Sequence, residues 1–349
     1  MNRVDQRIET TEATGMQPVI HNGKSQARIQ GPKLRISKFQ VVGYGLLLIL
    51  GLVAPFIGYP VFLMQALCFA LFACAFNLLL GYAGLLSFGH AAFFSTAAYV
   101  TGYLIKVRGF TPGFGIVAGT LVATLLGIAI GALVIRRQGI YFAMITLALA
   151  QLVYFLFLEA PFTGGEDGLQ GIPRGRLLWV LNLENDRTLY YVVFAIFVFG
   201  FLLIRRTIHS PFGQVLKAVR ENEPRALSLG YDVNKYKLVA FSLSAALAGL
   251  AGATKALVFT SVTLTDADWR ISGEVVLMTL LGGMGTVFGP LVGAFSIVTL
   301  QNQLADKVGS FVTVIIGVIF ILCVLLFRRG IVGEVIALYQ RVVGKRRIR

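Results

Sequence analysis

Few residues in this chain are placed to do chemistry, and His90 is the most conspicuous, because it is the only histidine inside an apolar segment. It follows Ser87 and Gly89, where a helix can begin. The imidazole could bind a carboxylate or an ammonium group, and the positive end of the helix could bind a carboxylate. The alternative is a histidine that hydrogen-bonds to neighbouring helices. The motifs GxxxxGK[ST], HExxH, CxxC and GxSxG are absent, so we predict no catalytic residue, no metal site and no cofactor.

Two glycine-rich stretches interrupt apolar segments, GYAGLLSFGH at residues 81–90 and LGGMGTVFGP at residues 281–290. We name them the first and the second glycine break. Glycine and proline disfavour helix interiors, so we predict that helices are broken or shortened there. Irregular backbone inside a membrane is tolerated where protein or a water-filled path satisfies it, and in transporters it often marks the substrate route. The candidates for a translocation path are Gly81, Gly84, Ser87, Gly89, His90, Gly282, Gly283 and Gly285.

The segment at residues 205–237, RRTIHSPFGQVLKAVRENEPRALSLGYDVNKYK, has the pattern of two short amphipathic helices. Ser210 and Pro211 are a favourable helix start, and Gly230 stands where a second helix would end. A pair of such helices would form a compact docking surface. The alternative is an interfacial loop that its lysines and arginines hold near lipid headgroups.

A second candidate docking segment, TGGEDG, begins at Thr163. It lacks the carboxylate spacing of a calcium loop. We predict a flexible loop that could contact a partner protein through Thr163, Gly164, Gly165, Glu166 and Asp167; a plain reverse turn is the alternative. Lys255 lies near one end of an apolar segment, and we expect its ammonium group to extend to the lipid headgroups.

The elements that must position these residues are apolar helices. Of the 349 residues, 56% are hydrophobic and 13% are charged, and the mean hydropathy is +0.78. These values exclude an ordinary soluble enzyme. The apolar runs are continuous, unlike the alternating strands of a membrane barrel. We therefore predict an all-α polytopic membrane protein with about ten transmembrane helices, in a range of 8–10, of which two are shortened at glycine-rich breaks.

The net charge of +15 would suggest nucleic acid in a soluble protein, but here the basic residues are segregated. Residues 1–38, 136–137, 205–237 and 328–349 hold 23 of the 31 lysines and arginines. Short basic loops stay on the cytoplasmic side of a membrane. We predict a flexible cytoplasmic tail at 1–38, a membrane domain at 39–327 and a basic cytoplasmic tail at 328–349, with no nucleic-acid partner. The acidic loop at 159–187 is then external.

Five stretches of the chain resemble one family of transport proteins. Residues 223–230, EPRALSLG, have the E-x-x-A-x-x-x-G layout of the coupling loop of bacterial ATP-binding-cassette importer permeases. Four more resemble the LivM-type permeases for branched-chain amino acids. They are NLLLGYAGLLSFGHAAFF (77–94), RRQGIYFAMITLALAQ (136–151), TGGEDGLQGIP (163–173) and SGEVVLMTLLGGMGTVFGPLVGA (272–294).

This resemblance implies a transport function for a chain that is not itself an enzyme. It implies a multi-pass protein of the bacterial inner membrane and its lipid bilayer, paired with a LivH-type second permease subunit. Two ATP-binding subunits and a periplasmic substrate-binding protein would complete the importer. The residues implied in coupling to the ATPase are Glu223, Arg225, Ala226 and Gly230. A permease for urea or short amides and a free-standing secondary transporter remain alternatives.

Overall fold

The computed structural model describes residues 38–177 and 181–308, together with scattered positions between 314 and 334. Contacts divide the chain into Met1–Leu47 and Leu48–Arg349, and all interactions discussed below lie in the second unit. The helices are α1 (Lys38–Ile57), α2 (Pro60–Asn77), α3 (His90–Lys106), α4 (Pro112–Val134), α5 (Ile140–Glu159), α6 (Asp186–His209), α7 (Pro211–Glu221), α8 (Glu223–Ser228), α9 (Val233–Phe259), α10 (Trp269–Gly282) and α11 (Gly289–Val308). The predicted span at 311–327 and most of both predicted tails lie outside the described residues.

The structure confirms an all-α polytopic membrane protein. In the part of the chain that it describes, five helices are long and apolar enough to cross a membrane, and the apolar stretch Gly45–Phe56 is shorter. Strands occur there only as two short ladders, in which β1 (Leu169–Gln170) pairs with β4 (Ser261–Val262) and β2 (Arg176–Leu177) pairs with β3 (Leu181–Asn182). The two glycine breaks fall where the sequence predicts them, after α2 and between α10 and α11.

Helix α2 and its continuation form the core of the second unit. In the most apolar part of Pro60–Ala83, 83% of the residues are buried inside the chain, compared with 33% in α4 and in α5. Helices α6, α9, α10 and α11 all pack on α2, and the ring of Phe94 on α3 stacks on that of Phe72. On α4 and α5, large side chains such as Leu125 and Phe155 are instead exposed, which suits a surface covered by lipid or by another subunit.

Small residues let α9 approach its neighbours closely. A Cβ atom at Gly252 would overlap the backbone of Phe94 on α3, and one at Gly249 would lie 2.6 Å from the Cβ of Ala123 on α4. Helix association inside a membrane relies on such close packing because lipid chains offer no hydrophobic driving force. Helices α3, α4 and α9 are therefore a tightly packed group.

Two ends of this helix bundle can be distinguished by charge. The basic end carries residues 205–237, and Gln138, which follows Arg136 and Arg137, reaches Glu223 there at 3.0 Å. The acidic end carries residues 159–187 and 260–268, which the ladder of Leu169 with Val262 joins. The segregation of charge predicted from the sequence thus corresponds to two ends of the fold.

Candidate coupling and translocation site

The first helix of the coupling loop, the name we use for residues 205–237, begins as its sequence predicts. The side chain of Ser210 accepts a hydrogen bond from the amide of Gly213 at 3.3 Å, and Pro211 occupies the first helical turn. These contacts satisfy an otherwise unpaired amide and fix the backbone for helix entry. Helix α7 then runs to Glu221.

The second helix ends at Gly230. This residue has a φ of +86°, a conformation that favours glycine. The amide of Gly230 donates to the carbonyl of Leu227 at 2.9 Å, and the amide of Tyr231 donates to the carbonyl of Ala226 at 3.2 Å. The pair of bonds is a Schellman motif, so the predicted helix stop at Gly230 is confirmed.

A small apolar cluster fixes the two helices on the base of α9. Val219 of α7, Ala226 of α8 and Val233 of α9 are buried together, and Val215 packs against them. Ala226 thus serves as an internal anchor. A larger side chain there would push α8 away from α9.

Glu223 is held inside the loop. Its carboxylate accepts a hydrogen bond from Lys237 Nζ at 2.7 Å and another from Gln138 Nε2 at 3.0 Å. The Lys237 side chain is only 4% exposed. Since an ammonium group with so little solvent needs a counter-charge, Glu223 ties α8 both to α9 and to the connection between α4 and α5.

The opposite side of α8 is open. Leu227 is 56% exposed and Leu229 is 69% exposed, and Arg225 and Tyr231 are also exposed. Neighbouring apolar residues that project from a basic loop form a surface suited to a protein partner. Among the sequence-predicted coupling residues, Arg225 lies on this surface, whereas Glu223 and Ala226 hold it in place.

Helix α7 contacts the first glycine break directly. The guanidinium of Arg220 donates a hydrogen bond to the carbonyl oxygen of Gly81, and the ammonium of Lys217 lies 5.6 Å from the ring centre of Tyr82. Both target residues belong to a π-helix, Leu78–Ala83, that continues α2. A π-helix displaces carbonyl groups from their usual partners, which explains how an arginine side chain can reach one.

Asn77 joins the two glycine breaks. Its Oδ1 accepts a hydrogen bond from the amide of Gly285 at 2.9 Å, and its Nδ2 donates to the carbonyl of Thr286 at 2.9 Å. At Gly81 a Cβ atom would lie 2.8 Å from the Gly285 nitrogen. The breaks are therefore one packed junction at the basic end, directly beside α7.

Glycine conformation shapes this junction at three positions. Gly84, Gly283 and Gly285 have φ values of +73°, +121° and +76°, which side chains other than glycine rarely adopt. Gly282 approaches the backbone of Gly289 so closely that a Cβ atom would overlap it. In this conformation, the glycines that are predicted to line a path are thus packed closely against neighbouring groups of the protein.

Ser87 and Gly89 form the entry to α3. Gly89 is the residue before the helix, its amide donates to the Ser87 hydroxyl at 3.2 Å, and Ser87 is completely buried. The amide of Ala91 donates to Ser272 Oγ of α10 at 2.8 Å, and that of Ala92 donates to the carbonyl of Gly89 at 3.1 Å. Protein groups therefore occupy these amides at the start of α3.

His90 is fully buried among Phe76, Phe93 and Phe241. Its Nε2 lies 2.8 Å from the Ser244 hydroxyl, which itself donates to the carbonyl of Ala75 at 2.6 Å. The single hydroxyl proton is used in the second bond, so Nε2 is the donor in the first. These contacts link α3, α9 and α2. They agree with the alternative in which His90 hydrogen-bonds to neighbouring helices.

The segment at Thr163 is folded. Thr163 is buried, and its hydroxyl lies 2.5 Å from the carbonyl of Phe157 and 2.6 Å from that of Ala160. Glu166 and Asp167 are exposed in a 3₁₀ turn, Gly165–Asp167. Within this segment, the two carboxylates and Gly164 are exposed and available to a partner. The buried Thr163 stabilises the turn through its hydroxyl contacts.

Lys255 does not extend to the headgroups, and that expectation is wrong. Its ammonium group lies 2.5 Å from Asp266 Oδ1, and the two side chains are 12% and 8% exposed. Asp266 belongs to a 3₁₀ turn, Leu264–Ala267, that folds back onto α3 and α5. The nearby carboxylate makes a buried position more favourable for the ammonium group than the interface.

The family model described as "Branched-chain amino acid transport system / permease component" matches residues 60–327. The chain belongs to this family. The match includes the coupling loop, both glycine breaks and the acidic loop at 159–187, and it confirms the resemblance to LivM-type permeases. No solved structure matches the chain.

The chain is also similar in sequence to several proteins that are named as permeases. The chain is 29% identical over 256 residues to the high-affinity branched-chain amino acid transport system permease protein LivM of Escherichia coli, covering 66% of this chain and 60% of that protein. It is 27% identical to the probable branched-chain amino acid transport permease protein LivM of Methanocaldococcus jannaschii, covering 60% and 63%. A third relative, the ribose import permease protein RbsC of Bacillus subtilis, is 34% identical over 38% of this chain and 44% of its own length. The chain thus spans about three fifths of the length of the LivM relatives.

Several residues of this permease that hold the site together carry no local sequence signal. Arg220 and Gly81 are 139 positions apart, and Asn77 and Gly285 are 208 apart. The sequence does not distinguish Lys237 from the other basic residues of the loop. A sequence clue exists only for Asn77, because an amide in an apolar span usually hydrogen-bonds to another helix.

Proposed function

We propose that this chain is a membrane-spanning permease subunit of an ATP-binding-cassette importer for branched-chain or similar hydrophobic amino acids. It works in a bacterial inner membrane with both termini in the cytoplasm. A LivH-type second permease subunit completes the path, two ATP-binding subunits supply the energy, and a periplasmic binding protein delivers the substrate. The chain itself has no enzymatic step.

The observation that carries the proposal is the route from the coupling loop to the glycine breaks. The exposed face of α8 with Leu227 and Leu229 is available to an ATPase, and the Val219 cluster and the Glu223–Lys237 pair fix α8 to α7 and α9. From α7, Arg220 reaches Gly81. A movement imposed by the ATPase would therefore be passed to backbone at the end of α2 as a rigid-body shift.

The junction of the two breaks is proposed as the cytoplasmic gate of the path. Helix α10 has 14 residues and is about 21 Å long, which is shorter than the ~30 Å hydrocarbon core. Its end and the second break are held by Asn77, whose two hydrogen bonds can be broken and remade. Movement of α7 would loosen this closed junction and open the route to the cytoplasm.

Branched-chain amino acids are the favoured substrates. The LivM relative of Escherichia coli matches 66% of this chain, whereas the ribose permease matches 38%. The LivM match also runs over a longer stretch of sequence. Ribose, urea and short amides are therefore useful competitors in the test.

Reconstitution of the complete importer tests the proposal. The chain is co-purified with its second permease subunit and the two ATP-binding subunits, placed in proteoliposomes, and supplied with the binding protein and radiolabelled L-leucine. We expect accumulation that needs ATP hydrolysis and the binding protein, and that excess isoleucine and valine suppress but ribose and urea do not. Accumulation without ATP would instead support a secondary transporter, and competition by urea alone would support the amide alternative.

A further inference from the structure

A buried ion pair lies at the acidic end, away from the coupling loop. Lys255 of α9 contacts Asp266 at 2.5 Å, and both side chains are almost completely enclosed. The second oxygen of Asp266 accepts a hydrogen bond from the Thr263 amide at 3.2 Å. A charged residue in a spanning helix, such as Lys255 in α9, is costly and commonly serves a function. The coupling route described above does not use this pair.

An unused polar group lies beside the pair. Tyr99 of α3 is completely buried, and its hydroxyl has no hydrogen-bond partner within the described part of the chain. Helix α3, which carries Tyr99, packs on the 3₁₀ turn that carries Asp266. A buried hydroxyl without a partner is unfavourable, so the Tyr99 hydroxyl would be stabilised by a ligand that hydrogen-bonds to it. The rings of Phe157 and Phe259 flank Tyr99 and Lys255 respectively and provide an apolar surface.

The segment that carries Asp266 is connected to the external loop. The amide of Ile172 donates to the carbonyl of Thr260 at 2.8 Å, and Leu169 pairs with Val262 in the β1–β4 ladder. Thr260, where this segment leaves α9, has a φ of +53°, which is an outlier for a β-branched residue. Movement of the external loop can therefore displace Asp266 by rotation at a strained position.

We propose that Lys255 and Asp266 form a charge-exchange latch that binds the head group of an α-amino acid. When the latch opens, the substrate carboxylate takes the place of Asp266 on Lys255. The substrate ammonium group takes the place of Lys255 on Asp266, and the Tyr99 hydroxyl gains its missing hydrogen bond. This inference rests on the proposed function, because it names where the amino acid is first held inside the membrane domain.

The chemistry of the pair restricts the ligand to a zwitterion. Breaking a buried ion pair leaves two uncompensated charges, which is strongly unfavourable. A ligand with adjacent positive and negative groups compensates both, whereas a sugar, an amide, a simple amine or a simple carboxylate leaves at least one unpaired. The latch would therefore contribute selectivity in the permease itself, in addition to that of the binding protein.

The test measures ligand binding to the complete permease–ATPase complex without the binding protein. Thermal unfolding of the purified complex is followed with millimolar L-leucine, leucinamide or 4-methylpentanoate. Two variants are compared with the native complex. In K255Q/D266N the aspartate keeps its shape as an amide, the lysine becomes a shorter neutral amide, and neither side chain carries a charge, while Tyr99→Phe removes only the unpartnered hydroxyl.

We expect L-leucine alone to raise the melting temperature of the native complex, with no shift in K255Q/D266N and a smaller shift in Tyr99→Phe. Uptake in proteoliposomes should fall about tenfold or more in K255Q/D266N, while assembly and basal ATP hydrolysis persist. If the pair is only a structural brace, K255Q/D266N will lower the melting temperature but keep the leucine-dependent shift and normal uptake, and the latch is then disproved. An equal increase in the melting temperature of the native complex with leucinamide would also disprove the latch.

Failure of the proposed function is a separate result. If the native importer accumulates no branched-chain amino acid under any condition, the substrate assignment is wrong. If it accumulates leucine normally and K255Q/D266N does so equally well, only the latch is wrong.

Discussion

The guanidinium of Arg220 donates a hydrogen bond to the carbonyl oxygen of Gly81, although the two residues are 139 positions apart in sequence. Arg220 stands near the end of α7 in the coupling loop, and Gly81 belongs to the π-helix that continues the buried helix α2. The bond connects the docking part of the molecule with the junction of the two glycine breaks. In the proposed importer, this bond is the route by which the ATPase acts on the gate.

Replacing Asn77 by alanine should disturb the gate. The change removes two hydrogen bonds and leaves the Gly285 amide unpaired, at a total cost of about 2–3 kcal/mol. We expect proteoliposomes that contain Asn77→Ala to leak leucine and to show reduced ATP-driven accumulation. Thr124→Ala is the matched control, because the Thr124 hydroxyl bonds only within α4, to Thr120 at 2.7 Å. Equal leakage in both variants would contradict the gate.

Glu223→Gln tests whether Glu223 acts inside the chain. The substitution keeps the shape of the side chain but leaves the buried Lys237 without a counter-charge, which costs about 3 kcal/mol. We expect a lower melting temperature and partial uncoupling, with both defects corrected by the additional change Lys237→Met. If Glu223 instead contacts the ATPase directly, the second change will restore stability without restoring coupled transport.

The exposed face of α8 should carry the ATPase contact. Leu229→Asp places a charge on a side chain that is 69% exposed, so the stability of the permease should change by no more than about 0.5 kcal/mol. We expect the ATP-binding subunits to be lost during purification, together with uptake. Val107→Asp is a control of similar exposure between α3 and α4, at the end of α3 away from the coupling loop. Retention of the ATPase by Leu229→Asp would place the docking surface elsewhere.

Charge reversal at Glu166 and Asp167 should weaken delivery of substrate. Both carboxylates are exposed in the 3₁₀ turn of the acidic loop at 159–187, so reversal will alter attraction to the proposed binding protein without disturbing the core. We expect a higher concentration of binding protein for half-maximal uptake, and a smaller difference at high salt because exposed charges are screened. Glu184→Lys changes an exposed acid in the same loop and serves as the control. An effect of equal size there would indicate general electrostatics.

Local features of the fold could be predicted from the sequence because they depend on neighbouring residues. Ser210, Pro211 and Gly230 set the ends of the coupling helices through contacts within five positions, and the glycines near residue 283 stop α10. Periodicity and hydropathy give the apolar helices for the same reason. The basic end of the bundle follows from the segregation of lysines and arginines.

Contacts between distant segments could not be predicted in this way. Lys255 seemed suited to the membrane interface because hydropathy does not show that residues 260–268 fold back and bring Asp266 to it. The ion pair of Glu223 with Lys237 could likewise not be predicted, since the buried position of Lys237 emerges only when α8 packs on α9. Chemically, both cases are charged side chains whose partner is set by tertiary packing.

The number of leucine molecules accumulated per ATP hydrolysed, in proteoliposomes that contain Arg220→Ala, tests the central claim most directly. The substitution removes the bond to Gly81 but leaves the exposed face of α8 and its anchoring cluster intact. We predict that the ATPase stays bound and active while the ratio falls about tenfold or more, with partial recovery in Arg220→Lys. An unchanged ratio in Arg220→Ala would contradict the proposed route from the coupling loop to the glycine breaks.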